Sequence, residues 1–194
     1  MSRRSGHSRT ALLIDLFAFY LLPAYTLLFA GSITWFGTNF SVIAVTGEDH
    51  YRGFFLWGVL AGSYFLFVLL DICSTLPGLR LKLLLGLLAA LAVICLGAAL
   101  FVPYLPRLAP RWADLHVVLA FSACALLMAA LLAVILALRR RGIGKSLLPA
   151  WWGIVLVCAA LFLLCGIISS ALEIFFILSA AHLARSLWRR CHLV

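Results

Sequence analysis

Long apolar runs alternate with short polar breaks along this chain, and the positions of the breaks set the expected architecture. Residues 11–36, 53–72, 83–102 and 116–138 are each apolar over roughly the 20 residues that a helix needs to cross a bilayer. A further run, 150–188, is about twice the bilayer core in length. Gly166-Ile167-Ile168-Ser169-Ser170 interrupts it, which predicts two helices, 150–168 and 171–188. The breaks carry helix-stopping chemistry, Leu76-Pro77-Gly78 after the second run and Pro103-Tyr104-Leu105-Pro106 after the third. Pro23 lies inside the first run and predicts a kink there. The pattern predicts an all-α, multi-pass integral membrane protein, a single domain over 1–194 built as a bundle of six transmembrane helices.

Composition removes the soluble alternatives, since 66% of the residues are hydrophobic and 11% charged. A net charge of +9 would suggest nucleic acid for a soluble protein, but here the basic residues sit in the loops that orient membrane helices. With six helices and both termini in the cytoplasm, Arg3, Arg4, Arg9, Arg80, Lys82, Arg139, Arg140, Arg141, Lys145, Arg185, Arg189 and Arg190 fall inside. Arg52, Arg107 and Arg111 fall outside. Five helices would put the basic tail outside, so this asymmetry selects six. Met1–Thr10 is basic and precedes an apolar run, as in a secretory signal. A signal core is only about 7–15 residues long, so a retained first helix is expected. Trp35, Trp57 and Trp112 are expected near outer helix ends, and Trp151, Trp152 and Trp188 near inner ones, where indole sits at the interface.

Small residues mark faces for helix contact. Gly58 and Gly62 have the G-x-x-x-G spacing that lets another helix approach closely, and Ala125, Ala129 and Ala133 form a stripe at i+4 spacing. The six cysteines show no Cys-x-x-Cys spacing, so neither a zinc site nor a redox pair is expected.

Polar groups decide where chemistry could occur. The longest break, Gly37 to Gly53, carries Asn39, Ser41, Glu48, Asp49, His50 and Arg52. Asp114, His116 and Glu173 are expected at the same outer end, and together these residues form the candidate polar site. Their bland reading is a solvated helix mouth, with Asp114 favouring a positive helix end. Glu173 is the most demanding of them, because a carboxylate inside a membrane is expensive unless paired or hydrated. Ala180 and Ala184 share its face and predict that it points into the bundle, with Arg52 or His116 as partner. Asp15 and Asp71 lie about a turn from the inner surface, where neutralising nearby Arg or Lys explains them. His182 is nine residues from Glu173 and so on the opposite helix face. Metal ligands and cofactors are not expected, since His50, His116 and His182 are the only histidines outside the tails.

Asn39-Phe40-Ser41 after helix one, the loop through Gly47 to Arg52, Leu115-His116 at helix four and the Glu173…His182 pair resemble the DRAM-type and GPI-remodelling-factor group of membrane proteins. The resemblance spans most of Asn39 to Trp188 and rests on Asn39, Ser41, Arg52, His116, Glu173 and His182. The Glu48-Asp49-His50 tripeptide falls outside it. It implies six helices and, from the eukaryotic members, lipid-linked roles, and it transfers no catalytic residue.

Three functions compete. The first is a lipid-handling, non-catalytic membrane protein whose outer polar face meets a headgroup, a glycolipid or another membrane protein. The second is the substrate-binding membrane subunit of a vitamin-type transporter, which also has six helices. Helix one lacks the Ala-x-x-x-Ala coupling motif of that class. The third is a membrane-embedded hydrolase, for which no His-x-x-x-His, Gly-x-Ser-x-Gly or Walker loop is present. The sequence favours the first, in a bacterial plasma membrane, with membrane lipids as partners and no nucleic acid.

Overall fold

The computed structural model describes residues 3–31, 34–143 and 146–192. Lys145, counted above with the inner charges, and the side chains of Arg3 and Arg4 lie outside the described part. Among the described residues there is no strand, and six helices are long and apolar enough to cross a membrane. They are Arg9–Ala30, Glu48–Thr75, Leu79–Phe101, Pro110–Arg140, Leu147–Cys165 and Ser170–His192. The protein is an all-α, multi-pass integral membrane protein.

Helix limits differ from the sequence expectation where local chemistry overrides hydropathy. The first span is α1 (Arg3–Leu16), a π turn over Phe17–Leu21 and α2 (Leu22–Ala30). The Leu22 N–H reaches back to the Phe17 carbonyl, one residue further than in an α-helix. Pro23 follows at the start of α2, so the widened turn takes up the place where its missing donor would break the ladder. The span stops at Ala30 rather than 36, because Gly31 turns to φ +53°. Part of the expected polar loop is itself helical: α3 (Phe40–Ala44) buries Phe40, Ile43 and Ala44 and is capped by Asn39, whose side chain accepts from the Val42 N–H at 2.8 Å. Next, α4 (Glu48–Thr75) begins at Glu48 rather than 53, with Glu48 and Asp49 in the first turn where the helix dipole favours acids. After α5 (Leu79–Phe101), α6 (Pro110–Arg140) starts on a proline that needs no N–H partner there. His116 therefore lies inside α6 instead of opening it. The last pair is α7 (Leu147–Cys165), ended by left-handed Gly166, and α8 (Ser170–His192).

Packing is centred on α8, which buries Ile177, Ala180, Ala181, Ala184 and Leu187 among α1, α4 and α6. Gly58 and Gly62 face α5. A Cβ on Gly58 would come within 2.6 Å of both Leu100 methyls, and one on Gly62 within 3.1 Å of Leu96. The alanine stripe of α6 lies beside the buried face rather than on it. Leu127, Leu131, Val134, Ile135 and Leu138 are buried, Ala133 is half-buried, and Ala125 and Ala129 are exposed. The bulkier ridge occupies the interface and turns those two alanines outward. Helix α7 is the most peripheral, with only Leu147 and Ile154 buried, both in its first half.

Three indoles are satisfied inside the protein rather than by interfacial water. Trp57 donates to Thr26 Oγ1 at 3.0 Å, Trp151 to the Met128 carbonyl at 2.9 Å, and Trp188 to the Asp71 carboxylate. The ends of the first and last spans meet at one end of the bundle, where Asp15 accepts from both Arg185 and Arg189. That explains Asp15 as a neutralising partner for two cations.

Candidate functional site

At the end of the bundle opposite the termini, residues 35–38 cross over the start of α8. A helix start leaves main-chain N–H groups without partners, and this segment supplies them. The Ser170 N–H donates to the Thr38 carbonyl at 2.7 Å and the Ala171 N–H to the Trp35 carbonyl at 2.8 Å. The clamp is reciprocal, because Glu173 in the first turn of α8 accepts from the Phe40 N–H at 2.7 Å. Phe40 is fully buried, edge-on to Phe29 and Trp57. Its aromatic anchor and its N–H together hold α3 in place over the cavity beside it.

That cavity, about 340 Å³, is lined by Asn39 and Ser41 from the α3 segment, Tyr104 from the α5–α6 turn, His116 from α6 and Glu173 from α8. Val42, Val117, Ala120, Phe162, Ile167 and Ile168 add apolar surface, and Gly37 and Thr38 complete the lining. Among the described residues that line it, none is Lys or Arg.

Inside it, His116 and Ser41 are buried, at 3% and 8% exposure. His116 Nδ1 lies 2.8 Å from the Val102 carbonyl, which can only accept, so Nδ1 carries the proton and donates. In the neutral ring Nε2 is then the acceptor, and the Ser41 hydroxyl donates to it across 2.7 Å. The end of α5 thus fixes the tautomer of a histidine on α6, which receives the hydroxyl of α3. Tyr104 and Phe54 flank the imidazole, with ring centroids 5.7 and 6.5 Å away.

Of the nine residues expected in one polar site, the cavity brings together Asn39, Ser41, His116 and Glu173. Glu48, Asp49, His50, Arg52 and Asp114 are exposed and do not line it. Arg52 pairs along its own helix with Glu48 at 2.7 Å, leaving Glu173 to the Phe40 main chain. His50 Nδ1 lies 2.7 Å from Thr46 Oγ1. His182 is exposed on α8, edge-on to Phe19 at 4.8 Å, and belongs to the other half of the bundle. Sequence reasoning passed over Tyr104 and the Val102 carbonyl. The only signal for the former was a tyrosine held between two prolines. Among the described residues no three of His, Cys, Asp and Glu are grouped to hold a metal ion.

Comparison with protein-family models, with curated proteins and with solved structures finds no match to this chain.

Proposed function

We propose that the protein binds the head of a neutral, amphiphilic membrane lipid in this cavity, on the extracytoplasmic side of a bacterial plasma membrane. One observation carries the reading: a single cavity joins a polar wall of Asn39, Ser41, His116 and Glu173 to an apolar wall of Phe162, Ile167 and Val117. Such a lining suits a molecule with a polar head and an apolar stem. No Lys or Arg stands among the described lining residues, which disfavours phosphate, since basic side chains normally hold it. Hydroxyl-bearing heads, many-hydroxyl in glycolipids and single in diacylglycerols, match the amide, hydroxyl and carboxyl groups available. Access from the side is supported by α7, whose residues beyond Ile154 are all exposed or half-buried, and by exposed Phe162 on α7 and Ile167 in the turn after it, both lining the cavity. The extracytoplasmic placement rests on the twelve basic residues assigned to the termini side against three on the other. The resemblance to the DRAM-type and GPI-remodelling-factor group belongs to the same reading.

The test is photolabelling in nanodiscs with a diazirine-bearing monoglycosyl diacylglycerol. Label should appear within residues 155–172, fall with excess unlabelled glycolipid and persist with excess phosphatidylglycerol. Labelling that either lipid displaces equally, or that spreads evenly over the helices, would remove the reading.

A further inference from the structure

We propose that Ser41 and His116 are a nucleophile and its general base, and that the protein cleaves an acyl ester of the neutral glycerolipid in the cavity. The inference rests on the lipid-binding reading and adds a reaction to it. A serine nucleophile needs a base within hydrogen-bond reach and a third group that orients the base. Ser41 Oγ is 2.7 Å from His116 Nε2, and the Val102 carbonyl holds His116 Nδ1 at 2.8 Å. The carbonyl takes the orienting place that a carboxylate often fills. It fixes the tautomer that leaves Nε2 free to accept the serine proton. Both side chains are nearly closed to solvent yet line the same cavity, so an ester could meet the hydroxyl with little competing water.

Charge develops on the ester carbonyl oxygen as Ser41 attacks, and donors must meet it. Two lie in the lining. The Asn39 carboxamide oxygen is taken by the Val42 N–H at 2.8 Å, so its NH2 is the end left for a ligand. Tyr104, which lines the cavity with its ring 5.7 Å from the imidazole, carries the hydroxyl that would be the second donor. Glu173 acts as a positioning residue, since its bond to the Phe40 N–H holds the main chain next to Ser41.

The step balances with water as the only co-reactant. Ser41 Oγ bonds to the ester carbonyl carbon as its proton passes to His116 Nε2. The tetrahedral adduct collapses, the carbon–oxygen bond to the glycerol side breaks, and His116 returns the proton to the departing alcohol. Water then attacks the acyl-Ser41 carbonyl and gives a proton to His116. Cleavage of the acyl–Oγ bond releases a fatty acid, and Ser41 regains the proton from His116.

A fluorophosphonate probe reads the nucleophile directly on the full chain in nanodiscs, with the adduct located by peptide mass spectrometry. Wild type should carry the adduct on Ser41, and Ser41→Ala should lose it while remaining folded. His116→Gln should slow labelling by about a hundredfold or more, the scale of a positioned general base. Excess monoglycosyl diacylglycerol should slow wild-type labelling, and phosphatidylglycerol should not. The adduct site and the competition are read on wild type, so they stand even if the His116 variant fails to fold. Folded wild type that takes glycolipid photolabel but carries no adduct on Ser41 overturns the chemistry and leaves the binding reading intact. An adduct on Ser41 that no glycolipid slows overturns the ester-cleaving role on this lipid and the binding reading with it.

Discussion

The Glu173 carboxylate accepts a 2.7 Å hydrogen bond from the Phe40 main chain, joining α8 to α3 across 133 residues of sequence. Among the described residues it is one of four hydrogen bonds between the segment 35–40 and the start of α8, and the one made by a side chain that lines the cavity. Glu173→Ala removes the acceptor and leaves the Phe40 N–H without a partner, which costs about 1–3 kcal/mol. Glu173→Gln keeps a carbonyl oxygen for the same donor. The alanine variant should therefore lower the melting temperature in detergent clearly more than the glutamine variant. Equal losses would mean that charge, rather than the bond to Phe40, is what α8 needs there.

Helix α4 meets α5 through Gly58, where an added Cβ would sit 2.6 Å from both Leu100 methyls. Overpacking of this kind costs about 1–3 kcal/mol. Gly58→Ala should destabilise the protein, and Leu100→Ala combined with it should recover part of the loss. Gly86→Ala is the control, because nothing lies within 4 Å of its added Cβ. That change should be neutral or raise stability by up to about 1 kcal/mol through helix propensity. Thermal unfolding of wild type and the three variants in one detergent decides the matter.

How much of this was legible in the sequence depends on the range of the interaction. Four helices follow from apolar run length, because a bilayer demands a nearly fixed number of residues per crossing, and the loop charges split the 150–188 run into two more. Their ends were harder to read. Glu48 and Asp49 look like loop residues by hydropathy, yet they are good first-turn residues, and α4 takes them in. The candidate site was legible as a set of residue types and not as an arrangement. Ser41 and His116 are 75 residues apart, and no spacing rule pairs them. The Val102 carbonyl, which fixes the histidine tautomer, is main chain and leaves no mark in the sequence at all. Arg52 was a natural partner for Glu173 by charge and depth, but an i,i+4 acid on its own helix was nearer.

At the termini end, Asp15 holds Arg185 and Arg189 together, and Arg185 also lies 4.3 Å over the Phe19 ring. Hydrogen bonds to charged groups contribute about 1.5–3 kcal/mol, and Arg189 is half in solvent, so its share is smaller. Asp15→Asn should destabilise the protein more than Arg189→Ala. A double-mutant cycle between Asp15 and Arg185 should show the larger coupling of the two pairs. Coupling near zero for both would make the cluster a solvated headgroup contact with no part in stability.

The distribution of charge predicts which side of the membrane the cavity faces, and this can be measured without any ligand. Thr46 and Leu108 are exposed near the cavity end, and Arg141 is exposed at the other end, beyond α6. Replacing the six native cysteines and placing one new cysteine at 46, 108 or 141 gives three reporters on one background. Positive residues are retained on the cytoplasmic side during insertion, so positions 46 and 108 should react with a membrane-impermeant maleimide on intact cells. Position 141 should react only after lysis. The opposite pattern would turn the bundle over and put the Ser41–His116 cavity in the cytoplasm, where a different pool of lipid heads is presented. Labelling at 46 but not at 108 would place an odd number of crossings between them, which the two helices α4 and α5 cannot supply, and the six-span bundle itself would fail.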